Sequence, residues 1–273
     1  MRYADLHLHT IFSDGTYTPE ELIAGAQKKR LSAIAVVDHD TVSGIIPSIE
    51  AAKGSDVEVL SGIELSAEYN NQEIHILGYL VDYEKEDFLK KLESLKINRI
   101  ERVKKMVAKL NTLGLKLDAQ SVFDLAGDGT VGRLHIARAL VKEGLVGSIF
   151  EVFHKYIGDN CPAYVLGFRF SPKEAIKFIK DSGGVPVLAH PYSLRNDELI
   201  LEFVKVGLMG LEVYYPEHSQ GMVNFYADLA KKNNLLITGG SDCHGKAKPE
   251  VRIGSIKIPY ELVERLKEAK EKL

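Results

Sequence analysis

The sequence predicts an α/β fold in which a mostly parallel sheet closes into a barrel, interrupted once by a purely helical stretch. Three observations lead there. Short apolar runs alternate with amphipathic stretches towards both ends of the chain, the grammar of strand–helix units. That alternation stops between about residues 84 and 165, where only the helical period remains. Imidazoles and carboxylates gather where the apolar runs stop, as they do at the active face of a parallel barrel.

"YADLHLHT" (3–10) reads as the first strand. "TPEELIAGAQKKR" (18–30) reads as a helix, with Thr18 as N-cap, Pro19 in the first turn and Glu21 closing a capping box. "AIAVVDHD" (33–40) is a strand and "IPSIEAAKG" a helix. "VEVLSGIELS" and "QEIHILGYLV" are further strands. "EDFLKKLESLKINRIERVKKMVAKLNTLG" is one long helix, followed by helices in "GRLHIARALVKEG" and "SIFEVFHKYIG". "SPKEAIKFIKDSG" (171–183) repeats the Ser-Pro-x-Glu helix start. "GVPVLAHP", "GLMGLEVYY" and "LLITGGSDCHG" are strands separated by helical periodicity, and "PYELVERLKEAKEKL" is a last helix. The expected division is a barrel from 1–83 and 165–273, with a helical insertion over 84–164.

Composition narrows the function. The 273 residues are 45% hydrophobic and 27% charged, enough for a sizeable core without disulfide support. Cys161 and Cys243 form no framework. The start of the chain has no basic-then-apolar leader pattern, and the longest apolar runs, such as "AIAVV" (33–37), are strand-length. A cytoplasmic setting without membrane contact or an obligate protein partner is expected. Thirty-five basic against 38 acidic side chains give a net charge of −3, which argues against a broad nucleic-acid surface but not against a local phosphate pocket.

Of nine histidines, six fall at the ends of predicted barrel strands: His7, His9, His39, His75, His190 and His244. Asp14, Glu64 and Asp242 accompany them. Residues two apart on a strand share a face, so His7 should point with His9, and Asp242 with His244, while Cys243 points away into packing. A lone buried histidine is usually a hydrogen-bonded core residue, and Asp14-Gly15 alone is usually a turn. Taken together, so many titratable groups at one barrel mouth would be too costly to bury without counter-charge. Divalent zinc, iron or manganese suits these nitrogen and carboxylate donors, and the set is too large for a single ion.

"DLHLHTIFSDG", "VVDHD", "GIE", "HILGY", "LAHP" and "SDCHG", in that order, resemble the PHP (polymerase and histidinol phosphatase) family. The resemblance implies a distorted (βα)7 barrel of the PHP type, here with an all-helical insertion, and a cluster of two or three divalent ions. It implies that His7, His9, Glu64 and Asp242 hold one ion. Glu64 would bridge to a second, held by His75 and His190. Asp14, His39 and His244 would hold a third. Three such ions and three carboxylates leave roughly +3 in the mouth, a site for an anion such as phosphate. The expected reaction is hydrolysis of a phosphate ester by a metal-bound hydroxide.

"GDGTVGRLHIARALV" (127–141) sets glycines and Arg133 at a helix start, where N–H groups and a guanidinium favour phosphate. It resembles the "GRPHIA" segment of the PHP subgroup that acts on nucleoside 3′,5′-bisphosphates and short RNA 5′ ends, with Leu134 in place of proline. The resemblance makes Arg133 and His135 holders of a 5′-phosphate. His218, in "EVYYPEHS", and Arg195 are further candidate substrate contacts, while His154 reads as helix packing. The basic run from Lys96 to Lys109 scatters around its helix and reads as a solvated face. The expected substrate is a small phosphorylated molecule, a nucleotide or short RNA. The competing readings are a histidinol-phosphate phosphatase and a non-catalytic metal- or phosphate-binding module.

Overall fold

The computed structural model describes residues 2–167 and 170–273. Along the chain run β1 (Tyr3–Leu8), α1 (Pro19–Lys28), β2 (Ala33–Val36), α2 (Ile45–Ala51), β3 (Glu58–Tyr69) and β4 (Gln72–Tyr79). The helices α3 (Glu86–Thr112), α4 (Ala119–Ala126), α5 (Arg133–Lys142) and α6 (Ile149–Val152) follow, the last continuing as a π turn over Phe153–Ile157. Then come α7 (Pro172–Asp181), β5 (Val185–Leu188), α8 (Glu198–Lys205), β6 (Gly210–Tyr214), α9 (Gln220–Lys232), β7 (Leu236–Gly239), β8 (Ile258–Pro259) and α10 (Glu261–Lys270). Both expected capping boxes form, Thr18 with Glu21 and Ser171 with Glu174. The helix α4, capped by Asp118, was not anticipated.

The strands lie in the order β7-β6-β5-β4-β3-β2-β1-β8. The sheet is less parallel than expected, because β4 runs antiparallel to both β3 and β5. The cause is local. Asn70 and Asn71 both take positive φ (50° and 64°), the geometry of a two-residue hairpin turn that asparagine tolerates. The hairpin folds β4 straight back on β3. The sheet curls until the segment after β7 meets β1, where the His9 N–H donates to the Cys243 carbonyl at 3.1 Å. The barrel is thereby almost closed.

Apolar residues of β3, β4 and β5 (Ile63, Leu65, Ile76, Leu188) pack against Ile176, Ile179 and Phe203 of α7 and α8. Burying each such side chain contributes roughly 2 kcal/mol. The helices α3 to α6 enclose a second core of their own, with Met106, Leu110, Val122, Ile136 and Leu140. The first turns of α3 belong instead to the barrel core through Phe88, Leu92 and Leu95. Among the described residues, no helix is long and apolar enough to cross a membrane.

Closure leaves no room between β1 and the end of β7. A methyl group built at Gly240 would overlap the backbone nitrogen and Cβ of His7. Gly240→Ala is therefore expected to destabilise the fold by about 3 kcal/mol through overpacking. Urea unfolding beside wild type measures this, and an unchanged midpoint would show that the two strands can part.

Candidate metal centre

The first strand alternates, so Asp5, His7 and His9 share one face. His7 and His9 are fully buried, with ring centroids 5.2 Å apart. His39 follows β2 and bridges to Glu64 in the middle of β3. His75 lies near the beginning of β4, opposite Ser66. Because β4 runs backwards, its start lies at the same mouth as the ends of the parallel strands. Asp242 and His244 come together by a different route from the alternation expected. The strand β7 ends at Gly239, and Asp242 turns at φ 53°. His190, after β5, sits at φ 28°. Left-handed conformations cost such residues about 1–3 kcal/mol and are kept where the surroundings enforce them. Cys243 points away, buried beside Leu8, Leu22 and Ile253.

These side chains converge on Glu64, which is 1% exposed. Its Oε1 lies 2.8 Å from His75 Nδ1 and 3.1 Å from His190 Nε2. Its Oε2 lies 3.3 Å from His7 Nε2, 3.2 Å from His9 Nε2 and 3.3 Å from His39 Nδ1. Asp242 Oδ1 is 3.1 Å from His9 Nε2, and Asp14 Oδ1 is 3.1 Å from His244 Nε2. Three donor groups result: His7, His9, Glu64 and Asp242; His39, Glu64 and His75; and His9, Asp14, His39 and His244. Within each, the donor atoms lie within 4.8 Å of one another.

The donor chemistry fits divalent cations. Both ring nitrogens of His9, Nδ1 of His39 and of His75, and Oδ1 of Asp14 are buried without a hydrogen-bond partner. Orphaned polar atoms facing one another are costly unless a cation satisfies them. Burial opposes ionisation of the carboxyls, yet nearby imidazoles hold Glu64 and Asp14 well below the usual range. Lys248 does most to keep Asp242 low against burial. Burial works against a charged His9, but Asp242 and Glu64 lift it to about 9. Burial keeps His39 and His244 low, the neutral form a metal needs.

A surrounding layer of partners, mostly unseen in the sequence, fixes these groups. Glu212 accepts from His7 Nδ1 at 2.8 Å through Oε1 and from the His190 N–H at 2.8 Å through Oε2. The Asp242 carbonyl faces His244 Nδ1 at 2.9 Å, and Glu73 Oε1 faces His75 Nε2 at 2.9 Å. Tyr215 Oη and Lys248 Nζ both donate to Asp242 Oδ2 at 2.9 Å. Asp38 accepts from the backbone and hydroxyl of Thr10 and from Ser13, pinning the loop that carries Asp14. Asp5 accepts from Ser241 and Gly254, pinning the loop that carries Asp242. The signal was a carboxylate inside an otherwise apolar strand, as in "DLHL" and "GLEVYY".

A cavity of about 630 Å³ opens on the cluster, lined at its floor by Asp14, His39, His75 and His244. Arg99, Arg102 and Arg133 line its wall. Arg133 is already engaged: Nη2 lies 2.9 Å from Glu73 Oε2, and Nη1 donates to Asp159 Oδ1 at 2.8 Å. The basic face of α3 is only partly solvated, since Arg99 pairs with Asp40 and Arg102 is buried against Glu73 and the Val165 carbonyl. His135 does not line this cavity. It is buried, its Nδ1 accepts the Gly132 N–H, and burial lowers it to about 4. It therefore closes the helix start as a neutral group. His218 sits behind Tyr192 and Tyr215 with Nδ1 on the Val213 carbonyl. Arg195 is exposed in a left-handed turn away from the cavity. His154 is exposed, with its ring packed on Phe150 one turn earlier.

A family model described as "PHP domain" matches residues 5–157. The 3′,5′-nucleoside bisphosphate phosphatase of Chromobacterium violaceum is 32% identical over 254 residues, 89% of this chain and 88% of its own. The 5′-3′ exoribonuclease Rnm of Escherichia coli is 34% identical over 250 residues, 88% of this chain and 84% of its own. A solved structure from Bifidobacterium adolescentis, described as a candidate metal-dependent phosphoesterase, superposes with a TM-score of 0.88 at 31% identity. That match covers 96% of this chain and 94% of the other.

Proposed function

The chain belongs to the PHP domain family and is a metal-dependent phosphoesterase, a hydrolase of phosphoric esters; on that premise we propose that it removes the 3′-phosphate of nucleoside 3′,5′-bisphosphates, with trimming of short RNA from the 5′ end as the related activity. The observation that carries this reading is the cavity that joins the donor cluster at its floor to Arg133 at the start of α5. Two anion-seeking ends in one cavity suit a substrate with two phosphates at a set separation, so selectivity comes from geometry.

In this reading the three donor groups hold two or three ions of manganese, iron or zinc. His7, His9, Glu64 and Asp242 hold one. Glu64 is shared with His75 and His190, and His39 stands between that pair and the group of Asp14 and His244. When bound, the ions supply a nucleophile near neutral pH and stabilise charge on the phosphoryl oxygens. The chain's own residues do the rest. Glu212 keeps the His7 Nδ1 proton in place, so Nε2 is free as a donor. Glu73 does the same for His75, and the Asp242 carbonyl for His244. Arg133, fixed by Glu73 and Asp159, meets the 5′-phosphate with little further loss of side-chain freedom. Neutral His135 closes the cap that presents it, and His218 and Arg195, which do not line this cavity, stay candidate contacts for a part of the substrate outside it. The helical stretch 84–164 acts as the substrate cap on a barrel built from 1–83 and 165–273. Cys161 and Cys243 remain free thiols, in keeping with a cytoplasmic enzyme.

The test is phosphate release with added manganese from adenosine 3′,5′-bisphosphate and from adenosine 3′-monophosphate. Wild type should strongly prefer the bisphosphate. Arg133→Ala should lower that preference about 10- to 100-fold, the loss of a charge-assisted hydrogen bond. Equal rates on the two substrates in wild type would overturn the reading.

A further inference from the structure

The cavity has a second end that the phosphates do not account for. Part of its lining is apolar, with Leu134, Ile149, Phe150 and Phe153 on the helical side and Ala247 and Pro249 on the barrel side. Phe150 is 78% exposed, the most exposed large apolar side chain among the described residues. Its ring is stacked on His154, with centroids 5.7 Å apart and planes 19° apart. Phe153 lies beneath the Arg133 guanidinium, 5.7 Å from carbon to ring centroid. Two aromatic rings, one of them under the arginine at the phosphate end, thus line the same cavity as the donor cluster.

We infer that this outer end of the cavity binds the nucleobase of the substrate by stacking on Phe150 and Phe153, without reading the base edge. The inference rests on the nucleotide reading above and adds the site that recognises the base. A nucleobase fits the chemistry better than an aliphatic group, because a planar ring covers an aromatic face while keeping its polar edge in water. The polar side chains near the platform are few. His154 lies flat against one face of Phe150, so it stands across that ring from a base laid on the other face. Ser148 is occupied in capping α6, where its hydroxyl accepts the Glu151 N–H. Glu217, Lys248 and Glu250 stand on the opposite, barrel side. Selectivity among the four bases should therefore be slight, as for single-stranded nucleic acid held on aromatic platforms.

The experiment compares adenosine 3′,5′-bisphosphate with its base-free tetrahydrofuran analogue in wild type, Phe150→Ala and Phe150→Trp, loaded with manganese. Stacking predicts that Phe150→Ala lowers kcat/KM for the nucleotide about 5- to 100-fold, chiefly through KM. The base-free substrate should be unaffected, and Phe150→Trp should restore the nucleotide. The four nucleoside bisphosphates should differ by less than about tenfold, a small spread on the stacking scale. Equal losses on both substrates, or no loss on either, would overturn the inference while leaving the bisphosphatase reading intact. Should wild type hydrolyse neither bisphosphate, the functional reading fails, and stacking is then decided by calorimetry. Adenosine 5′-monophosphate binding more tightly than ribose 5-phosphate in wild type but not in Phe150→Ala would support it. Equal affinities in wild type would overturn it.

Discussion

Glu64→Gln is expected to lower phosphoester hydrolysis by at least about 10³-fold, a loss of ~4 kcal/mol of transition-state stabilisation. The two side chains have nearly the same volume, so packing is kept and the change isolates charge. Glu64 faces His75 and His190 with one oxygen and His7, His9 and His39 with the other. Among the described residues it is the only carboxylate common to two of the three donor groups. An amide has one weakly donating oxygen, and its NH₂ cannot ligate a cation at all. Whichever way the substituted amide turns, one half of the cluster faces a hydrogen-bond donor. The purified variant should carry at least one ion fewer per chain by elemental analysis while unfolding close to the wild-type midpoint. Full metal content with activity within tenfold of wild type would mean that Glu64 is a counter-charge and not a ligand.

The candidate ligand positions were legible because they obey simple local rules. His7 and His9 alternate on a strand, and the apolar runs mark where each functional segment ends. The helix starts at Thr18 and Ser171 were legible for the same reason, since a capping box lies within four residues. What the sequence did not disclose depends on contacts between distant segments. The direction of β4 hangs on a two-residue turn at Asn70-Asn71, which carries no strong hairpin signal such as Asn-Gly. Arg133 stands at a helix start as expected, but its pairing with Glu73 and Asp159 needs two other segments to arrive beside it. Arg99 and Arg102 are spaced i, i+3 and so share a face of α3; the surrounding lysines masked that pair. Phe150 lies in a segment whose helical period is plain in the sequence, but only the tertiary fold leaves it exposed and lining the cavity.

Glu212 tests whether the layer behind the donors matters as much as the donors. It lies in the middle of β6 with no exposed surface, and it accepts two hydrogen bonds, one from the His7 ring and one from the His190 backbone. Both partners are donors, so both carboxylate oxygens are needed. In Glu212→Gln the amide can accept from only one of them, and its NH₂ must confront the other donor. If the oxygen serves His190, the NH₂ confronts the His7 ring. The imidazole then favours the tautomer with its proton on Nε2, the atom that faces Glu64 and Asp242, and it can no longer ligate there. If the oxygen serves His7, the strained turn at His190 loses the hydrogen bond that anchors it. Either arrangement should weaken metal binding about 10- to 100-fold. Manganese titration by calorimetry measures this, and the lost hydrolysis should return at saturating manganese. That rescue separates a positioning residue from a ligand, because excess metal can refill a weakened site but cannot replace a lost donor such as Glu64. Manganese affinity equal to wild type in Glu212→Gln would show that the His7 ring is held by its packing alone.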